Sequence, residues 1–225
     1  MSDNNGFVIH EPNKFSKFIK DELNIPFKIA IHGLENSFSS LVTRKALESI
    51  GLSLGYDAIP VYSKSARNTV NEVMNRKISL GVVASINNNV GFVDETRQAF
   101  LDNGGTMLCI TCCTLEIEQC LITHQSIVDI NQVLAIKAHP MALRQCLEKL
   151  SHKYPHIKLL DSSNEDDTAK CALDIASGIV PSTTATLASE EVIQGDARIK
   201  CIKKRMETRH PNITTFPIFM SSPLP

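Results

Sequence analysis

Short apolar runs alternate with amphipathic helical stretches through the first third of the chain, and this order constrains the fold more than any other feature. Phe27–Ile31 reads as a strand, a loop through Gly33 follows, and Ser39–Ile50 reads as a helix. That helix carries Leu41, Leu47 and Ile50 on its apolar side, with Gly51 placed to stop it. Ala58–Tyr62 is a second strand, Ala66–Arg76 a helix bearing Val70, Val73 and Met74, and Ile78–Ala84 a third strand. Strands joined through single helices pair in parallel, because the crossover carries the chain back to the end of the sheet where the previous strand began.

The second half repeats the pattern. Strands are expected at Thr106–Ile110, Leu115–Ile122, Val133–Ile136, Lys158–Leu160, Thr183–Ala188 and Ile213–Met220. A helix starts near Pro140 and carries Leu143, Leu147 and Leu150; another covers Asp167–Ser177 and is ended by Gly178. The expected fold class is α/β in two lobes with a cleft between them, the usual place for a small ligand. The expected division is a polar leader over 1–26, a first lobe over 27–105, and a second lobe over 106–225 that includes crossing strands. The boundary is expected near Gly104-Gly105.

At 225 residues the chain is long enough to bury a substantial core, and 43% hydrophobic with 21% charged residues is ordinary for a globular protein. A net charge of −1 with mixed signs gives no footprint for nucleic acid or anionic membrane. The basic cluster Lys200, Lys203, Lys204 and Arg205 reads as a solvated helix face. The N-terminus MSDNNGFVIHEPNK has neither the basic start nor the apolar run of a signal peptide. No apolar stretch approaches the ~18 residues of a membrane span. Seven cysteines in a chain of this size fit reduced thiols in a cytoplasmic protein rather than a disulfide framework. Cys109, Cys112, Cys113 and Cys120 lie close together near His124, but without a second CxxC they read as small strand residues and no metal site is expected.

Four short segments carry candidate chemistry. Gly33-Leu34-Glu35-Asn36-Ser37 stands between a strand and a helix, where Ser37 either helps hold an anion at the helix N-terminus or caps the helix. Asn87-Asn88-Asn89-Val90-Gly91 offers three amides to a polar ligand, or forms an Asn-rich turn. Lys137-Ala138-His139-Pro140 could present a cation and a helix N-terminus to a carboxylate, with His139 more naturally a capping residue. Thr214-Thr215-Phe216 begins a strand, as hydroxyls and an aromatic lining a cleft or as plain strand formers.

Read together and in order, these segments resemble the prephenate dehydratase domain from about residue 27 to 220. The family's Gly-Pro-Glu-Gly-(Thr/Ser)-Phe-Ser motif is matched at Gly33, Glu35, Ser37, Phe38 and Ser39, while Leu34 and Asn36 depart. Its Ser-His-Pro-Gln-Ala-Leu-x-Gln-Cys motif corresponds to Ala138–Cys146, its Thr-Ala helix start to Thr168-Ala169, and its His-Cys-Leu-Leu strand to the surroundings of Cys120. Two further departures touch charge. The family's Glu-Asn-Ser-x-x-Gly reads Ile86-Asn87-Asn88-Asn89-Val90-Gly91, and its Thr-Arg-Phe reads Thr214-Thr215-Phe216.

The resemblance implies a two-lobed architecture similar to type II periplasmic binding proteins and a stand-alone, divergent prephenate dehydratase of phenylalanine biosynthesis. The family's reaction expels carbon dioxide and the ring hydroxyl together and uses no cofactor. A small dicarboxylate such as prephenate is the implied ligand and a homodimer the implied assembly. Carried onto this sequence, Thr214 is the catalytic donor, and Ser37, Asn87, Asn88, Asn89, Thr168, Thr215 and Phe216 are the substrate contacts. An arginine in place of Thr215 would give a charge-assisted contact of about 1.5–3 kcal/mol, and Lys137, Arg97, Arg144 or His32 would have to stand in for it. Two alternatives share the fold: a prephenate decarboxylase that does not aromatise the ring, and a silent module that binds a small carboxylate.

Overall fold

The computed structural model describes residues 6–103, 107–162 and 168–222. Its strands are β1 (Phe7–Ile9), β2 (Phe27–His32), β3 (Ala58–Ser63), β4 (Leu80–Val82), β5 (Ile86–Asn87), β6 (Gly91–Phe92), β7 (Met107–Glu116), β8 (Cys120–His124), β9 (Ala135–Ala138), β10 (Lys158–Asp161), β11 (Thr184–Ala188), β12 (Ile199–Lys203) and β13 (Ile213–Ser221). Its α-helices are α1 (Pro12–Glu22), α2 (Phe38–Glu48), α3 (Ala66–Met74), α4 (Asp94–Asp102), α5 (Pro140–Lys153) and α6 (Thr168–Ala176).

The chain forms two compact units. The first comprises Met1–Gly33, Phe38–Glu116 and Ile213–Pro225; the second comprises Leu34–Ser37 and Ile117–Asn212. This differs from the expected division at Gly104-Gly105, which lies outside the described residues. The passage falls instead between Glu116 and Ile117, inside the run Leu115–Ile122 that reads as one strand. That run is the end of β7, a break, and the start of β8.

In the first unit the sheet runs β1-β7-β13-β4-β2-β3, with β5 paired to β13 and β6 to β5. The strands β4, β2 and β3 are parallel, as the crossover helices require. The step from β2 to β3 and the step from β3 to β4 go in opposite directions across this order, so right-handed crossovers place α2 and α3 on opposite faces. The α3–α4 face buries Ala30, Val70, Val73, Val83, Ala99 and Phe219. The residues taken for a polar leader belong to this unit. Phe7–Ile9 pairs antiparallel with Leu115–Cys113, and α1 buries Phe15 and Ile19, one turn apart behind Pro12 at the helix start.

The second unit has its own sheet, in the order β10-β9-β11-β8-β12. Leu121 and Leu187 pack with Ala142, Leu143, Cys146 and Leu150 of α5. Their strand neighbours Ile122 and Ala188 pack with Ala169, Ala172 and Ile175 of α6, as alternation along a doubly covered sheet demands. The basic cluster is not a helix. Lys200 and Lys203 lie on edge strand β12 and Lys204 and Arg205 just beyond it, where Lys204 pairs with Glu190 and Arg205 with Glu118. Among the described residues no helix is long and apolar enough to cross a membrane.

Candidate functional site

A polar cluster in the first unit joins β5 to β13. Thr214 is buried and stands opposite Asn87 in the antiparallel register. The Asn87 side chain is fixed by its own turn: its Oδ1 accepts the backbone N–H groups of Asn89 at 2.9 Å and Val90 at 3.2 Å. With the oxygen committed to two donors, the amide nitrogen must face the other way, and Nδ2 donates to Thr214 Oγ1 at 2.9 Å. Gly91, at φ 84, supplies the left-handed residue that closes this hairpin. Asn88 ties the same turn to β13 twice: its N–H donates to the Ile213 carbonyl at 2.9 Å, and its Oδ1 accepts the Ile213 N–H at 2.8 Å.

This arrangement has a chemical consequence. The Thr214 oxygen accepts a hydrogen bond from Asn87, so its own proton is directed elsewhere and the hydroxyl is set as a donor. The Asn-rich segment is therefore both a turn and a positioning device. The structure brings Thr214, Asn87 and Asn88 together, with Asn89 contributing its backbone to the turn.

Thr215 is not part of this cluster. Successive strand residues face opposite sides of a sheet, and Ile218 on Thr214's side is in register with Val82, itself in register with Ile31 of β2. Thr214 thus faces the α2 side, and Thr215 faces the α3–α4 side. Its cross-strand partners are Thr114 and Ile86. The two charge-bearing positions of the family pattern that are lost here, 86 and 215, are direct partners of each other. Phe216 shares Thr214's side but is 1% exposed, opposite Cys113, so it packs the core beneath the strand rather than presenting a ring to a ligand.

Ser37 and Thr168 belong to the second unit. Ser37 is buried, and its N–H donates to the Leu34 carbonyl at 3.1 Å; Leu34 in turn packs on the α6-side core. Asn36 sits at φ 66, a left-handed conformation that Asn tolerates better than most residues. It stands where the family pattern has glycine, so this departure keeps the loop's shape. Thr168 opens α6 and is half-buried.

The cations named as stand-ins are drawn to their own neighbours. Lys137 Nζ lies 3.5 Å from the buried carboxylate of Asp174, which also receives Lys170 at 2.5 Å. Arg97 leans toward Asp94 at 3.8 Å, and Arg144 Nη2 toward the Met141 sulfur at 2.8 Å. His32, at the end of β2, is held down to a pKa of about 4 by burial and is neutral at pH 7. His139 caps α5, its Nδ1 accepting the Met141 N–H at 3.2 Å.

A buried amide network went unread in the sequence. Gln145 Oε1 accepts from Gln119 Nε2 at 2.8 Å and from Asn212 Nδ2 at 3.2 Å. Asn212 Nδ2 also donates to the Ile117 carbonyl, and Glu207 Oε2 accepts the Gln119 N–H at 2.8 Å. Asn212 is the last residue of the second unit, two positions before Thr214 in the chain. The signal was available: Gln145 is an amide on an otherwise apolar helix face, between Leu143, Cys146 and Leu150.

Comparison with known proteins adds the following. A family model described as prephenate dehydratase matches residues 29–223. Comparison with curated proteins found no match. Among solved structures, the prephenate dehydratase of Arthrobacter aurescens in complex with L-Phe superposes with a TM-score of 0.68 at 16% identity, covering 88% of this chain and 61% of that one. The prephenate dehydratase of Staphylococcus aureus subsp. aureus Mu50 gives 0.61 at 16% identity, covering 88% and 67%. A structure titled GqqA, a novel type of quorum quenching acylases, gives 0.62 at 19% identity, covering 88% and 65%. The chain thus spans 61–67% of the length of these structures. At such identities the likeness establishes a shared fold.

Proposed function

Since the chain belongs to the prephenate dehydratase domain family, we propose that it is a prephenate dehydratase in which Thr214 is the catalytic hydrogen-bond donor and Asn87 its positioning residue. The reaction converts prephenate and a proton to phenylpyruvate, carbon dioxide and water. The bond from the ring to its carboxylate breaks, that electron pair enters the ring, and the ring hydroxyl leaves as the ring becomes aromatic. The departing oxygen gathers negative charge, and a fixed donor aimed at it lowers the barrier. Thr214 supplies such a donor because Asn87 already occupies its oxygen.

The observation that carries this reading is the 2.9 Å bond from Asn87 to Thr214, between residues 127 apart in sequence that both match family motifs. Neutral amides and hydroxyls around it suit a ligand held by hydrogen bonds. The ligand class, a small dicarboxylate, is taken from the family. The shared fold of a structure titled as an acylase is a reminder that fold alone does not give an activity.

The test is incubation with prephenate while following ultraviolet absorbance of the aromatic product and carbon dioxide release together. A dehydratase gives both in equal amounts. Carbon dioxide without aromatic product supports the non-aromatising decarboxylase instead, and binding with neither product supports the silent module. Within the proposal, Thr214→Val should lower kcat by about 10²–10³, the usual effect of removing one donor to developing charge, while Thr214→Ser retains most of it. Equal activity of Thr214→Val and the parent protein overturns the assignment.

A further inference from the structure

Strand β7 carries a β-bulge that pairs two of the chain's thiols. The register with β13 runs Phe216↔Cys113, Pro217↔Cys112, Ile218↔Thr111 and then Phe219↔Cys109, leaving Ile110 without a partner. In a regular strand residues three apart face opposite sides. The extra residue reverses that parity, so Cys109 and Cys112 share one face, and their sulfurs lie 3.5 Å apart. Cys109 is exposed and Cys112 half-buried, whereas Cys113, Cys120, Cys146 and Cys171 are buried. Cys113 points to the opposite side and is 0% exposed, so it does not compete.

We propose that Cys109 and Cys112 form a redox-modifiable dithiol site, which a small-molecule disulfide converts to an intramolecular disulfide. The Cys109 thiolate attacks the small disulfide, forming a mixed disulfide and releasing one small thiol. The Cys112 thiolate then attacks the Cys109 sulfur, closing the protein bond and releasing the second small thiol. Two electrons pass to the reagent, and the two thiol protons end on the two released thiols. Closure needs the sulfurs to approach from 3.5 Å to about 2 Å, a movement that side-chain rotation and the irregular backbone of the bulge at Ile110 can share. At rest the Cys109 thiol stays protonated beside the Cys112 sulfur, since burial and the Cys112 neighbour push Cys109 up to about 12. The site is therefore slow to react and stays open unless a disulfide reagent is abundant.

The test is incubation of the full chain with oxidised glutathione, followed by intact mass and fragment mapping under non-reducing conditions. Expected is a loss of two hydrogen atoms with a link between Cys109 and Cys112, reversed by a reducing agent. Cys112→Ser should stop at a glutathione adduct on Cys109, Cys109→Ser should prevent closure, and Cys113→Ser should leave closure intact. Circular dichroism confirms that each variant is folded. A persistent adduct on Cys109 of the parent protein, closure between any other two cysteines instead, or no mass change in the folded protein would each overturn the proposal.

Discussion

At the scale of single residues, the two lost charges are better understood together than apart. Ile86 and Thr215 face each other across β5 and β13, on the side of the sheet away from the Asn87–Thr214 bond. A glutamate and an arginine at these positions would form a cross-strand ion pair, so their joint absence removes one surface interaction and leaves Thr214 untouched. If the ligand lies over Thr214 as proposed, an arginine at 215 starts from the other face of the sheet and does not reach its carboxylate. Ile86→Glu and Thr215→Arg are accordingly predicted to be neutral or mildly destabilising singly. The double variant should be more stable than their sum by about 0.5–1 kcal/mol, the range of an exposed cross-strand pair. Urea denaturation of all four proteins measures the coupling. Titration with prephenate gives the second reading, where Thr215→Arg should change affinity by less than about twofold, an energy well under the 1.4 kcal/mol that marks a power of ten. A tenfold tightening by Thr215→Arg alone would return residue 215 to the ligand site.

At the scale of elements, close packing rather than propensity explains what holds the first unit's sheet to its helices. Gly81 of β4 lies beneath Phe219 of β13. A β-carbon there would stand 2.5 Å from the tip of the Phe219 ring and 2.9 Å from a Val73 methyl. Phe219 has nowhere to retreat, being fully buried with its ring edge-on to Phe100 at 5.5 Å. Gly81→Ala is predicted to destabilise by about 1–3 kcal/mol through overpacking, seen as a lower urea midpoint with an unchanged slope. A neutral result would mean that α3 shifts freely over the sheet. Elements of this sort were mostly legible beforehand, because β2, β3, α2, α3, α5, α6, β11 and β13 follow strong apolar periodicity bounded by glycine or proline. What escaped notice had weaker local signals. The α1 helix has a polar majority around Phe15 and Ile19, α4 has a largely polar sequence, and β12 alternates lysine with apolar residues in a way that imitates a helix face. Lysines on an exposed edge strand make sense once the strand is seen, since they discourage pairing with another chain.

At the scale of the whole molecule, chain path decides which parts can stand alone. Strand β13, the last described element, lies between β7 and β4 in the middle of the first unit's sheet, so that unit is incomplete until the chain has traversed the second. No local pattern in the sequence announces this; it follows from Ile213 pairing with Glu116 across all of the second unit's residues. The same long-range closure explains why the candidate site was only partly legible. Thr214 and Asn87 could be named from motifs, but the bond between them and the facing of Ile86 by Thr215 depend on register. The second unit is different, for residues 117–212 hold its whole sheet, both covering helices and the Gln119–Gln145–Asn212 network, lacking only Leu34–Ser37. A fragment of residues 117–212 is predicted to unfold cooperatively in urea and to show dispersed amide resonances. A fragment of residues 1–116 should do neither, because without β13 it exposes the inner edges of β7 and β4 together with the apolar surface that Phe216, Ile218 and Phe219 cover. Adding the peptide 213–225 to fragment 1–116 should restore part of its sheet signal, since the missing strand pairs on both sides. If fragment 1–116 folds cooperatively alone, β13 is an accessory strand.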